Sequence, residues 1–416
     1  MPTPPRDVTV IGAGIVGLAC AMSLLRDGHR ITLIDPRPPG SATSFGNAGA
    51  VVTGGVVPTS TPGLWRKVPR MVSAPMGPLM GLCRERPHRA PGLIRLVRAG
   101  NGETAVQTAD ELWPLTSRAA AAHKLLAREA GAEDLLRPVG WLKVYRDQAG
   151  LDGTAFDREL MDRVGAKYQL LNADELRQLE PGLARDFAHG LFQPEALFAS
   201  TPYALSQAYL RCILARGGRL VTESVRRFEF GPQGPTKVVT DLGMHPVDRV
   251  VIAAGAWSKP LARQLGHSVP LDTERGYHLN FPWSERTVLN RPVLFGGENF
   301  VLCPMRDGIR MTGGVELAGL DAPPDFRRIR ALVPAARRVL PGLTGEATRE
   351  WLGFRPSTPD SKPVVARSSK WSNAYFAFGH GHMGLGLSAI TGKLIADLVA
   401  ERPSEIALSP YAADRF

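Results

Sequence analysis

Cysteine is scarce in this protein: four residues in 416, at positions 20, 83, 212 and 303, with no Cys-x-x-Cys pair among them. Such sparse placement excludes a disulfide-stapled scaffold and a zinc ribbon, and it suits free thiols in a reducing cytoplasm. Aromatic residues are few, at 7%, and they do not accompany the basic ones, so the interleaved stripe of an RNA-binding surface is missing. Acidic residues are outnumbered, 39 against 50 Lys and Arg, and the resulting +11 favours contact with something anionic. The only long apolar run is Val8 to Leu25, which holds three spaced glycines and is followed by no cleavage signal. It reads as strand, turn and helix, not as a membrane span or signal peptide. No zinc spacing, Ser-His-Asp order, P-loop or fixed-period repeat appears. The remainder, 44% hydrophobic and 21% charged, is an ordinary globular composition with length for two or three domains.

The N-terminus is a compact βαβ unit. Asp7-Val-Thr-Val-Ile11 suits a strand buried on both faces, and Leu18 to Arg26 are good helix formers ended by Gly28. Arg30-Ile-Thr-Leu-Ile-Asp35 is the second strand. Residues 36–102 are Pro- and Gly-rich without a clean period. A long helix is predicted over 103–131, a strand over 140–145, and a short helix after Asn172 with Glu175 completing a capping box. Thr201-Pro202 opens another helix as N-cap and first residue, and Gly217-Gly218 closes it. Strands are predicted at 219–222, 226–230, 236–240, 248–253, 276–281, 293–302 and 308–315. An Arg-rich helix is predicted at 326–339, and a last helix from Leu387.

Gly12-x-Gly14-x-x-Gly17 lies between the first strand and the first helix, where a dinucleotide fingerprint must lie. The first glycine makes the tight turn, the second admits a pyrophosphate to the backbone, and the third packs helix on strand. Asp35 follows Gly17 by 18 residues, at the place of an acid that hydrogen-bonds a ribose and repels a 2′-phosphate. A nicotinamide enzyme usually continues in regular βαβ units. This protein enters the irregular Pro38-to-Gly49 segment instead, whose small polar residues can line more cofactor.

Gly12 to Gly17, Ser44-Phe-Gly-Asn47-Ala48-Gly49 and Ala253-Ala254-Gly255-Ala256-Trp257 resemble the D-amino-acid oxidase and glycine oxidase superfamily of FAD enzymes. Gly353-Phe-Arg355-Pro and Phe378-Gly-His380-Gly381-His382-Met-Gly384-Leu385-Gly386 narrow the resemblance to D-amino acid dehydrogenases of the small-subunit type, in their single-chain form. The resemblance covers nearly the whole sequence. It implies an α/β fold, with a Rossmann-like FAD domain of the glutathione reductase type and a discontinuous α+β substrate domain on an antiparallel sheet. The expected division is 1–60, 195–262 and 345–416 for FAD, and 61–194 and 263–344 for substrate.

By the same resemblance, Gly12, Ala13, Gly14, Ile15 and Gly17 hold the pyrophosphate and Asp35 the adenosine ribose. Ser44, Asn47, Ala48 and Gly49 run beside the ribityl chain and flavin, Val225 meets the adenine, and Gly255 and Trp257 form a second flavin loop. Gly381, Gly384, Leu385 and Gly386 lead into the last helix, whose N–H groups would face the flavin pyrimidine. With Ser44-Phe45-Gly46-Asn47 after the second strand and no Cys beyond 303, FAD is expected to be non-covalent.

Oxidising an amino acid at Cα requires an anchored carboxylate, and an Arg fork binds one bidentately. Arg355 matches the family's carboxylate-binding arginine, and Tyr277 resembles a tyrosine that bonds the same carboxylate. A His of near-neutral pKa could take the amine proton. His382 stands where related dehydrogenases commonly carry Thr. His278 is set aside because it points away from Tyr277.

The resemblance implies oxidation of a D-amino acid, D-proline or hydroxy-D-proline among them, with electrons passed to a quinone. No nucleic-acid partner is expected. A 2-hydroxy-acid or N-methyl amine oxidoreductase shares every cofactor motif, and a flavoprotein acting on RNA is the alternative from another class. Residues 61–98 carry eight Lys and Arg against Glu85 alone, among Leu64, Trp65, Met71 and Leu79. That mixture suits peripheral contact with an anionic membrane face, or a loop over the active site. The expected place is the cytoplasm, with peripheral contact at the inner membrane face.

Overall fold

The computed structural model describes residues 4–62 and 100–416. The basic segment noted in the sequence lies outside them from residue 63 onward.

Two large sheets organise the fold. The first has six strands in the order Val364–Arg367, Ala374–Phe378, Arg249–Ile252, Asp7–Ile11, Arg30–Ile34 and Arg219–Val221. Five run parallel and the first is antiparallel. Both faces are covered, as a parallel sheet of short apolar strands requires. On one face Val8, Val10, Leu33 and Val251 pack beneath the helices Ile15–Arg26 and Gly384–Val399. On the other, Ile11, Ile34, Val250 and Ile252 meet Leu261, Leu265 and the three-stranded meander of residues 225–246. The apolar run Val8 to Leu25 is therefore a core strand and a helix packed on nearly all sides, and no described helix is long and apolar enough to cross a membrane.

The second sheet is mixed and has eight strands: Arg349–Ser357, Asp272–Phe281, Gly308–Glu316, Phe300–Met305, Val293–Phe295, Trp141–Tyr145, His189–Gln193 and Gln169–Leu171. Side chains alternate between its faces. Tyr277, Leu279, Leu302, Val293, Leu142 and Val144 fill one face, against Ile329, Ala336 and Val339. Arg355, Glu274, Thr312, Val301, Leu294, Lys143 and Gln193 are on the opposite face by register. The boundary expected at 345 falls ahead of Arg349–Ser357, yet that strand pairs in this sheet.

The long helix runs Gly102–Glu129 with Asn101 as its cap, and Asn172 and Glu175 form the capping box. Elsewhere the structure differs from the pattern. Thr201 makes no cap hydrogen bond, and its hydroxyl is buried without a partner. The strand expected over 293–302 is two strands joined through Gly296-Gly297. The Arg-rich helix is two short ones, Arg327–Arg330 and Val333–Val339, because Pro334 lacks the N–H needed to continue the first. The last helix starts at Gly384, ahead of the expected Leu387.

Candidate active site

A cavity of about 1130 Å³ lies between the two sheets. That exceeds the usual span for one small ligand, so a dinucleotide and a small substrate can share it. At one end the turn after Asp7–Ile11 forms the wall. Gly12 has φ +107°, and a Cβ there would collide with the Ala253 carbonyl, so only glycine closes this turn. Gly14 caps the helix Ile15–Arg26 by backbone alone. Ser44 Oγ accepts the Ile15 N–H at 3.0 Å, while the cap residue offers no side chain, so the rest of this helix end stays open to an anion. Asp35 accepts from the backbone N–H groups of Ala13 (2.8 Å) and Arg37 (2.9 Å), which fixes its carboxylate over the turn.

A second helix ends at the same cavity. Gly384–Val399 also lacks a side-chain cap, and Gly381, His382, Gly384, Leu385 and Gly386 line the wall. Buried His123 holds this turn, its Nε2 donating to the carbonyls of Leu385 (2.8 Å) and Gly386 (3.1 Å). Burial pushes its pKa down to about 4, so the ring is neutral and donates through one nitrogen. Between the two helix ends run Ser44, Asn47 and Ala48, with Val225, Gly255 and Trp257 also on the wall.

Three of the expected cofactor residues act from behind the wall. Ala13 is buried in the turn, Gly17 is buried in the first turn of the helix Ile15–Arg26, and Gly49 donates its N–H to Asn47 Oδ1 at 2.8 Å. Trp257 lies under Arg37, whose guanidinium is 3.9 Å from the ring centroid. That contact sets Trp257 beside the Asp35 turn.

Two supporting residues have only weak sequence signals. Arg310, near the start of the strand Gly308–Glu316, donates to the carbonyls of Phe45 (2.9 Å) and Asn47 (2.8 Å). His278 stacks on Trp351 at 4.9 Å and faces the Gly46 carbonyl, and burial with the Arg310 charge lowers its pKa to about 3. Together they brace the 44–49 segment from the sheet.

At the far end Arg355 and His382 face the cavity, and Tyr277 does not. Strand alternation turns Tyr277 to the other face, where its hydroxyl donates to Glu316 at 2.5 Å and accepts from the Asp325 N–H. Burial with Glu316 nearby pushes it up to about 12. The residue of this pair that lines the cavity is Gly276. The Arg355 guanidinium lies across Gly276, where any Cβ would collide with it. His382 does not have the near-neutral pKa expected of a base. Burial and the Arg355 and Lys143 charges hold it at about 4, so it is uncharged at neutral pH.

Two open helix ends around so long a cavity suit a ligand with a charged middle and a ring that gains electrons, which places the protein among dinucleotide-dependent oxidoreductases. The model of the FAD dependent oxidoreductase family matches residues 7–398, and the chain belongs to that family. It is 37% identical to a D-amino-acid oxidase of Bradyrhizobium diazoefficiens, over 99% of both sequences. It is 30% identical to a D-amino acid dehydrogenase of Allorhizobium ampelinum, over 98% of this protein and 99% of that one. Among solved structures, glycine oxidase from Geobacillus kaustophilus superposes with a TM-score of 0.78 at 21% identity, covering 99% of both. That likeness concerns the fold. The cofactor is FAD, and the open N–H groups of both helices and the Gly12 turn fit its pyrophosphate and flavin.

Proposed function

We propose that this enzyme oxidises D-amino acids at Cα to the imino acid. Bound FAD supplies the hydride acceptor. Gly12, Gly14 and Ile15 hold the pyrophosphate, with Ala13 and Gly17 supporting the turn from behind. Asp35 holds the ribose, and Val225 the adenine side, where Trp257, expected in the flavin loop, also stands through its contact with Arg37. Ser44, Asn47, Ala48 and Gly255 run beside the flavin, with Gly49 supporting the segment from behind, and Gly381, Gly384, Leu385 and Gly386 face its pyrimidine. Arg355 binds the substrate carboxylate as a fork and fixes which Cα substituent faces the flavin.

One observation above all supports this: Arg355 lines the same cavity as the Gly12 turn and has no carboxylate oxygen within 4.0 Å among the described residues. Neutral His382 beside it serves as a polar wall and not as an obligatory base. Electrons pass on to a quinone. The basic segment 61–98 docks the protein on an anionic membrane face, where that acceptor resides. D-Proline and hydroxy-D-proline are the first substrates to try, from the resemblance of the tail.

The purified protein, yellow with flavin, is expected to bleach anaerobically with a D-amino acid and to recover its colour with a quinone analogue. Bleaching by the L-enantiomers alone would sink the proposal. Failure to co-sediment with anionic vesicles at low salt would remove the membrane contact without touching the chemistry.

A further inference from the structure

A D-amino acid carries an ammonium at neutral pH, and that group must lose a proton before its nitrogen lone pair can form a C=N bond. His382 is a poor acceptor for it, because burial and the Arg355 and Lys143 charges hold the ring at about 4. A carboxylate stands closer in register to Arg355. Asp272–Phe281 and Arg349–Ser357 are antiparallel, and Glu274 is directly opposite Arg355. Residues so paired point to one face of the sheet and lie about 4.5–5.5 Å apart at Cα. Both line the cavity.

Opposite charges in that position ordinarily form an ion pair, and these two do not. Among the described residues no carboxylate oxygen lies within 4.0 Å of the Arg355 guanidinium. The cause is on either side of the pair. The guanidinium leans across Gly276, two residues on from Glu274, and donates to the Gly314 carbonyl at 3.4 Å. Glu274 takes a hydrogen bond from the Ser357 hydroxyl, and Ser357 stands opposite Asp272, on the other side. The two heads are therefore splayed along the strand pair. An α-amino acid bears its carboxylate and its ammonium on one carbon. It bridges such a gap with a charge-assisted hydrogen bond of about 2.7–2.9 Å at each end. Loss of hydration raises the Glu274 carboxyl above its usual range, with exposed Asp272 adding to the rise and Arg355 opposing it. A carboxylate so raised is a stronger base than an exposed one.

We propose that Glu274 is a catalytic residue: its carboxylate binds the substrate ammonium while Arg355 holds the α-carboxylate, and it accepts one ammonium proton. This rests on the D-amino acid reading and adds the residue that makes an amine necessary. The N–H bond breaks, its electron pair stays on nitrogen, and the proton goes to a Glu274 carboxylate oxygen. The Cα–H pair leaves as hydride to the acceptor that bound FAD supplies, and the nitrogen pair closes the C=N bond. Glu274 then returns its proton to solvent. A 2-hydroxy acid brings no cation, so it leaves the Glu274 charge without a partner. The secondary ammonium of D-proline meets Glu274 as a primary one does.

The test compares wild-type, Glu274→Gln and Glu274→Asp holoenzymes on D-alanine, D-proline and D-lactate. Wild type should favour D-alanine over D-lactate by about a hundredfold or more in kcat/KM. Glu274→Gln should lose about a hundredfold or more on D-alanine at pH 7. Its rate should then climb about tenfold per pH unit, since only the neutral amine reacts. Glu274→Asp keeps a carboxylate and should keep the wild-type pH profile at a lower rate. Binding is read from flavin absorbance with 2-aminoisobutyrate, which has no Cα hydrogen to lose, and with isobutyrate, which lacks the amine. Glu274→Gln should bind 2-aminoisobutyrate about tenfold or more weaker and isobutyrate as tightly or tighter, because a like charge near its carboxylate is gone. Parallel weakening of both ligands with an unchanged pH profile, or equal turnover of D-lactate and D-alanine by wild type, overturns the proposal and leaves D-amino acid oxidation standing. If Glu274→Gln fails to hold FAD, the wild type decides: isobutyrate bound as tightly as 2-aminoisobutyrate overturns the proposal, and weaker isobutyrate supports it. No flavin reduction by D-alanine or D-proline overturns both readings.

Discussion

Arg355 shows how much one residue's surroundings decide. Its guanidinium lies across Gly276 on the neighbouring strand and donates to the Gly314 carbonyl at 3.4 Å, which leaves most of the fork free. Arg355→Lys keeps the charge and loses the planar fork. Steady-state kinetics should show a raised KM and about 2–4 kcal/mol lost in kcat/KM, with flavin content unchanged. Equal kinetics would remove Arg355 from the site. Gly276→Ala asks the same question without touching the arginine. The added methyl must displace the guanidinium, so KM should rise about tenfold or more while flavin absorbance stays as in wild type. If KM holds, the guanidinium has another resting place. Both residues stand inside short motifs, yet only Arg355 is legible there. The need for glycine at 276 comes from a strand far along the sequence.

At the level of elements, the last helix matters most. Gly384–Val399 crosses Ile15–Arg26 so closely that a Cβ on Gly392 would collide with the Ala19 carbonyl. Alanine there gains about 1 kcal/mol of helix propensity. It also forces two backbones apart, at about 1–3 kcal/mol or more in a core with no slack, and packing should win. Gly392→Ala is expected to lower Tm and to weaken FAD binding, because the same helix carries the Gly384–Gly386 turn into the cavity. A variant as stable as wild type would show that the two helices can separate without cost. Periodicity and glycine placement made this helix and the N-terminal one easy to locate. Their crossing was not legible, since nothing local in Ser388-Ala-Ile-Thr-Gly392 names Ala19 as the partner.

Across the fold, the buried histidines set how the protein responds to acid. His123, His278 and His380 are buried, and their pKa values are depressed to about 4, 3 and 3 by loss of hydration. In the unfolded state each returns toward 6.5. Below about pH 6.5 the unfolded state therefore takes up protons that the native state refuses, and stability falls as pH falls. Each contributes at most about 1.4 kcal/mol per pH unit in that window. Glu180 and Glu274, raised by burial, act in the opposite direction closer to the carboxylate range. Thermal unfolding of the holoenzyme should show a falling Tm from about pH 7.5 to about pH 5.5. A flat profile would mean that these rings are hydrated in the native state.

The N-terminal βαβ unit, the glycine turn with Asp35 and the order of the motifs are all readable from residue order, because each depends on residues close together in sequence. Backbone conformation, helix ends and strand periodicity are local matters. The family is readable too, since the spacing of those motifs survives as a one-dimensional pattern. Which face of Asp272–Phe281 looks inward is another matter: three-dimensional packing excludes Tyr277 and admits Gly276. Packing also brings Lys143 to the cavity, and His123 and Arg310 behind its wall, from a helix and two strands whose local sequences say nothing of ligands. The cause is common to all of them. A charge or ring takes its role from the burial and partners that a curled sheet and crossed helices supply, and those partners are far away in sequence.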